Sequence, residues 1–93
     1  MMRYYLVCYD IEDDRRRDRV ARCLKRWGRR VQFSVFEVAC RSESDFGRLC
    51  SELESIKDGD DSVRVYRFNQ ATRRSSGELN GPPMRHCPAV VVL

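Results

Sequence analysis

Asp10 ends an apolar run, Tyr4 to Tyr9, and Glu12, Asp13, Asp14 and an arginine block follow almost at once. The string VCYDIEDDRRRDRV therefore sets carboxylates beside guanidiniums at the close of a strand-like segment. A carboxylate there can pin a turn or start a helix. It can also hold a hard divalent cation such as Mg²⁺, with Mn²⁺ as a substitute, because such ions take oxygen ligands and Mg²⁺ keeps several waters. A bound ion of this kind activates water and steadies the charge that develops on phosphorus. The planar arginine fork grips phosphate oxygens in two places. The chemistry this arrangement could do is metal-dependent phosphodiester hydrolysis. Asp10 is the catalytic and metal-ligating candidate, and Arg15, Arg16, Arg19, Arg22, Arg26 and Arg30 are the nucleic-acid-binding candidates.

One carboxylate per chain is a thin metal site. In a two-fold dimer the Asp10 of each copy could lie near the axis, where their repulsion is relieved by a bridging cation. Glu37 is an accessory candidate if its strand runs beside the first, although a lone acid on a strand is usually solvated. Tyr9, Phe33 and Phe36 could stack on bases, with Phe36 the accessory candidate, although aromatics at strand spacing usually belong to the core. No Gly-rich phosphate loop and no G-x-S-x-G string is present. The single histidine, His86, has no carboxylate partner that spacing would place beside it.

The 93-residue length implies one domain with a modest core. The formal charge is +4, and its distribution is uneven. Arg15 to Arg30 holds nine cations against one acid, Asp18, whereas Ser42 to Ser62 holds seven acids against two cations. A basic face attracts polyanions through counterion release. The five cysteines are odd in number and widely spaced, with no C-x-x-C, so reduced thiols are expected rather than a disulfide framework or a zinc site. Cys87 beside His86 is weak evidence for a metal. No apolar run approaches membrane-span length, and the short apolar start is no signal peptide, so the chain reads as cytoplasmic.

These residues need elements to position them. Tyr4 to Tyr9 reads as a central strand. Asp13 or Asp14 caps a helix whose buried stripe is Val20, Leu24 and Trp27, and Gly28 stops it. Val31 to Cys40 is extended, with a break near Ser34. Ser42 caps a second helix with the stripe Phe46, Leu49, Leu53 and Ile56, ended by Asp58-Gly59-Asp60. Val63 to Phe68 is a strand with one wet face. Asn69 to Pro88 lacks periodicity and reads as a loop or arm. Ala89 to Leu93 reads as a terminal strand seeking a sheet edge.

The order predicts an α+β ferredoxin-like βαββαβ sandwich, an antiparallel sheet with two helices on one face. Residues 1–68 form the core, and residues 69–93 form an arm and an extra C-terminal strand of the same domain. Alternation puts apolar residues on both sheet faces, so a homodimer through the sheet is expected.

Three segments also resemble the CRISPR-associated protein two family. YLVCYDI looks like the family's first strand ending in aspartate. WGRRVQFSVFE looks like its Gly turn and S-V-F-E strand, and DSVRVYRF like its last core strand. The resemblance implies a ferredoxin-like homodimer in CRISPR spacer acquisition, partnered by the integrase subunit, CRISPR-associated protein one. It implies a Mg²⁺-dependent endonuclease on single-stranded RNA or double-stranded DNA, with Asp10 as metal ligand. It equally allows a non-catalytic scaffold that holds the incoming DNA duplex. The arm from Thr72 to Pro88 departs from the pattern, which leaves the pairing of the last strand open.

Overall fold

The structure, a computed structural model, describes residues 2–77 and Leu79. Its elements are β1 (Arg3–Asp10), α1 (Asp14–Lys25), β2 (Gly28–Gln32), β3 (Val35–Cys40), α2 (Glu43–Ile56), β4 (Ser62–Phe68) and a short α3 (Gln70–Arg74). The four strands form one antiparallel sheet in the order β2-β3-β1-β4. The first six elements make the expected ferredoxin-like sandwich. The proposed terminal strand, Ala89 to Leu93, and the Cys87–His86 pair lie outside the described residues.

β1 is an interior strand, and its alternation is clean. Tyr5, Val7 and Tyr9 are buried against α1 and α2, while Tyr4, Leu6 and Cys8 lie half-buried on the opposite face. On β3, Phe36, Val38 and Cys40 are buried beside them. Helix α1 contributes Val20, Ala21, Cys23 and Leu24, and α2 contributes Leu49 and Leu53. Each fully buried aliphatic side chain adds about 1.5–3 kcal/mol from area removed from water, so this single layer carries most of the fold.

Asp13 caps α1: its side chain accepts a hydrogen bond from the Arg16 N–H at 2.8 Å. Ser42 caps α2 in the same way, accepting from the Asp45 N–H at 3.1 Å. Gly28 does not stop α1. The helix ends at Lys25 with Arg26 as its cap, and Gly28 opens β2 opposite Val38. Glycine is needed there because a Cβ would stand 1.9 Å from the Glu37 carbonyl oxygen. The strand therefore begins three residues before the expected Val31. Every residue of β2 is exposed on this edge, so no apolar alternation marked Gly28 to Arg30 as a strand.

The segment after β4 was expected to be irregular, but it begins with a helix. Asn69 caps α3 by accepting from the Thr72 N–H at 2.8 Å. No residue of α3 is buried, which is why apolar spacing could not show it. The helix reaches the open face of the sheet. Arg73 Nε donates to Glu37 Oε1 at 2.8 Å and its guanidinium lies 5.1 Å from the Tyr4 ring centroid. The face that the sequence left bare is thus partly covered at the Tyr4 end.

Candidate nucleic-acid interface and metal site

Asp10 is the last residue of β1, exposed, and paired through the backbone with Ser62 of β4. Alternation along β1 places it on the open face with Leu6 and Cys8. Its carboxylate joins none of the ion pairs formed among the described residues. The oxygens are therefore available to a ligand.

The frame around Asp10 is rigid for identifiable reasons. The Tyr9 N–H donates to the Ser34 carbonyl at 3.0 Å, which ties the β2–β3 turn to the end of β1. Arg17 Nη1 donates to the Ile11 carbonyl at 2.9 Å and to the Glu12 carbonyl at 3.3 Å, so it clamps the loop that follows Asp10. Arg16 makes a two-pronged contact with Asp61, Nε to Oδ2 at 2.7 Å and Nη2 to Oδ1 at 3.2 Å. Asp61 also accepts from the Asp58 N–H at 3.1 Å. The Arg16 guanidinium bonded to Asp61 holds the Asp61 carboxyl below the usual carboxylate range and raises Arg16 in turn. Arg16 thus locks the first turn of α1 to the start of β4, on either side of Asp10.

The six arginine candidates separate into two groups. Arg16 is engaged by Asp61, and Arg26 forms an ion pair with Glu52. Arg15, Arg19, Arg22 and Arg30 form no ion pair among the described residues. Arg19, Arg22 and Arg26 line a shallow groove of about 330 Å³ with Cys23 and Ile56. Arg30 lies on β2, its guanidinium 5.1 Å from the Phe36 ring centroid and 5.9 Å from that of Phe33.

The accessory candidates fare differently. Phe36 is fully buried at 0% exposure and its ring stacks against Tyr9 at 6.3 Å, so it is core and has no face free for a base. Burial also raises the Tyr9 hydroxyl above its ordinary value. Glu37 does lie on a strand beside β1, but opposite Leu6, four residues from Asp10. At about 3.4 Å per residue that is roughly 14 Å, and Arg73 holds it. One chain does not bring Asp10 and Glu37 together.

Among the described residues no group of three His, Cys, Asp or Glu side chains converges as a metal site. Burial raises the thiols of Cys23, Cys40 and Cys50, and Cys8, Cys23, Cys40 and Cys50 are all unbridged. On the open face at this end of the sheet, Asp10 is a hard oxygen donor that joins no ion pair among the described residues. Its chemistry suits a hard divalent ion that keeps several waters.

Sequence reasoning missed the Arg16–Asp61 lock and the Arg17 clamp. Asp61 counted only as part of an acidic stretch, and Arg17 stood among identical neighbours. The available signal for Asp61 was its place just before a strand.

The chain is thus of the ferredoxin-like α+β class, with a basic helix beside a strand-end carboxylate that joins no ion pair among the described residues. The sequence model of the CRISPR associated protein Cas2 family matches residues 2–75, and the chain belongs to that family. It is 38% identical over 90 residues to the CRISPR-associated endoribonuclease Cas2 3 of Synechocystis sp., covering 96% of this chain and 97% of that protein. It is 44% identical over 66 residues to the CRISPR-associated endonuclease Cas2 2 of Thermus thermophilus, covering 69% and 71%. Among solved structures, a chain of a partial Cas6-RT-Cas1–Cas2 complex superposes with a TM-score of 0.74 at 31% identity, covering 88% of this chain and 96% of that one. No helix among the described residues is long and apolar enough to cross a membrane.

Proposed function

We propose that this chain acts in CRISPR spacer acquisition as a homodimeric, Mg²⁺-dependent endonuclease on single-stranded RNA or double-stranded DNA. The observation that carries the reading is Asp10: exposed, on the open sheet face, and in no ion pair among the described residues. Beside the stretch of that face covered by α3, Leu6, Cys8 and Val35 are half-buried and Tyr66 is 50% exposed. Two copies packed through this face about a two-fold axis bring their Asp10 carboxylates toward each other. Together they would hold the ion, with water and substrate phosphate completing its shell.

When bound, Mg²⁺ or Mn²⁺ supplies a nucleophile at neutral pH and neutralises charge on the phosphoryl group. The chain's own residues do the rest. Arg15 and Arg30 hold backbone phosphates near the strand end, while Arg19 and Arg22 extend the track along α1. Arg16 and Arg17 fix the loop that carries Asp10. The relatives named endoribonuclease and endonuclease support the hydrolytic part of this reading.

The structural neighbour from a complex containing Cas1 favours a second role, a scaffold that holds a DNA duplex for the Cas1 integrase subunit. A cleavage assay separates the two. Purified protein and Asp10→Asn are compared on labelled single-stranded RNA and duplex DNA, with Mg²⁺ or with chelator. Cleavage that needs the metal and vanishes in Asp10→Asn establishes the nuclease. Cleavage that persists equally in the variant comes from a contaminant, and the scaffold role then stands alone. Light scattering during size exclusion reads the dimer directly.

A further inference from the structure

The β2–β3 turn carries an aromatic side chain that the core leaves outside. Phe33 is 74% exposed, although its sequence neighbours Val31 and Val35 are less so. Two guanidiniums flank its ring: Arg17 at 6.0 Å and Arg30 at 5.9 Å from the centroid. The turn itself is strained. Gln32 pairs with Val35, so Phe33 and Ser34 are its two central residues, and Ser34 has φ of +65°. A non-glycine residue gains nothing from that conformation by itself, and such strain persists where the surroundings over-determine it. Here the Tyr9 N–H bonded to the Ser34 carbonyl fixes the turn beside the residue that precedes Asp10. An exposed aromatic on a fixed turn, flanked by two cations, matches a ligand with a flat π face and a polyanionic chain.

We infer that Phe33 is a stacking platform for an unpaired nucleobase, with Arg30 steering the flanking phosphate and Arg17 holding the Asp10 loop beside it, so that a single strand is seated at the Asp10 end of the sheet. This deepens the nucleic-acid reading above and rests on it. It also sets a preference. Bases within a duplex already stack on each other and cannot reach the ring, so the platform serves single strands and frayed ends. Sequence preference at the ring is weak, because every base has a π face.

The test is equilibrium binding of labelled single-stranded RNA and duplex DNA by fluorescence anisotropy, in chelator so that nothing is cleaved. The full chain is compared with Phe33→Leu and Phe33→Trp, and the single strand with an abasic version. Phe33→Leu is expected to weaken single-strand binding by about tenfold and to leave duplex binding within about twofold. It is expected to keep the salt slope, because every phosphate-binding arginine stays in place. Phe33→Trp is expected to retain affinity. The abasic strand is expected to bind the native protein and Phe33→Leu alike.

Equal single-strand affinity in native protein and Phe33→Leu overturns the platform while leaving nucleic-acid binding in place. An equal loss on single strand and duplex overturns it too, as does a change in oligomeric state, which would make Phe33 a protein contact. Failure of the native chain to bind either nucleic acid overturns both this inference and the reading it rests on. Phe33 is exposed and outside the core, so the folded state is expected to survive both substitutions, with unchanged thermal melts as the check.

Discussion

The two ends of β1 are both crowded with charge, and they treat it in opposite ways. At the Tyr4 end the acids are paired: Glu43 with Arg3, and Glu37 with Arg73. At the Asp10 end the matched arginines, Arg16 and Arg17, are used up in holding the backbone frame. Asp10 itself, Arg15 and Arg30 join no ion pair among the described residues. The difference separates charge that fixes the fold from charge left available for a ligand. An exposed unpaired charge costs little to keep, since water solvates it, and it retains its full attraction for a counter-charge.

The largest effect that would break this comparison is on Asp10. Asp10→Asn is expected to cut metal-dependent cleavage by on the order of a hundredfold or more, the scale of weakening a metal site. Thermal stability is expected to be unchanged, because Asp10 has no ion-pair partner within the described residues. A variant that melts earlier would mean that Asp10 belongs to the frame after all.

Gly28→Ala tests the other end, where the outcome is expected to invert. The added methyl would meet the Glu37 carbonyl at 1.9 Å, and that neighbour is backbone, so the β2–β3 ladder must shift. Overpacking of this kind costs about 1–3 kcal/mol, sometimes more. Chemical denaturation is expected to show that loss, whereas the chemistry at Asp10 persists in the fraction that stays folded.

The sequence disclosed the layers more readily than the charge partners. Tyr4 to Tyr9 was readable as a strand because it is a continuous apolar run rich in aromatic and branched residues, and the α1 and α2 stripes because a helix imposes a period of 3.6. GRR at the start of β2 and the whole of α3 were opaque for one reason: neither buries a face, so neither carries a period. Asp10 was legible as a break in an apolar run. That Arg16 would be bound and Arg30 free was not, since a run of identical residues gives no sign of which one a distant Asp61 will reach. From the sequence, Phe36 rather than Phe33, three positions away on one stretch, was the accessory aromatic, and Phe36 is buried. Only the turn at Ser34 puts one outside and the other in the core.

The sorting of arginines can be measured by salt dependence. Replacing three of the four unpaired candidates, Arg19, Arg22 and Arg30, with Gln is expected to lower the slope of duplex affinity against salt by about 0.9 for each phosphate no longer neutralised. Arg26→Gln, whose guanidinium already pairs with Glu52, is expected to move it less. Equal changes for paired and unpaired positions would show that ion pairing within the chain does not decide which cations meet the phosphates.

A smaller effect, dependent on pH, is expected from the Arg16–Asp61 lock. Arg16 depresses the folded-state pKa of Asp61. The stability this supplies is therefore fully present above the unfolded carboxyl value of about 3.9 and is lost as pH falls through the lower folded value. Melting temperature is expected to drop below about pH 4 in the native chain. In Asp61→Asn that part of the acid limb flattens, on top of a lower stability at neutral pH. An unaltered acid limb would assign the drop to other carboxylates.

The smallest expected change is at the Arg73–Glu37 clasp, and it bounds the comparison from the structural side. The side chains are 39% and 20% exposed, so solvent screens the pair and its net worth is about 0.5 kcal/mol. Arg73→Gln removes the charge but keeps an amide that can still donate to Glu37. A fall in melting temperature of about 2–4 °C is expected for a chain of this size, with cleavage unchanged. Glu37→Gln added to Arg73→Gln separates charge from packing. If the loss arises because the Glu37 carboxylate is stranded, the double variant regains most of it. If the loss persists, the contribution lies in α3 and the Arg73 guanidinium covering the Tyr4 ring, an arrangement that neutralising Glu37 does not restore.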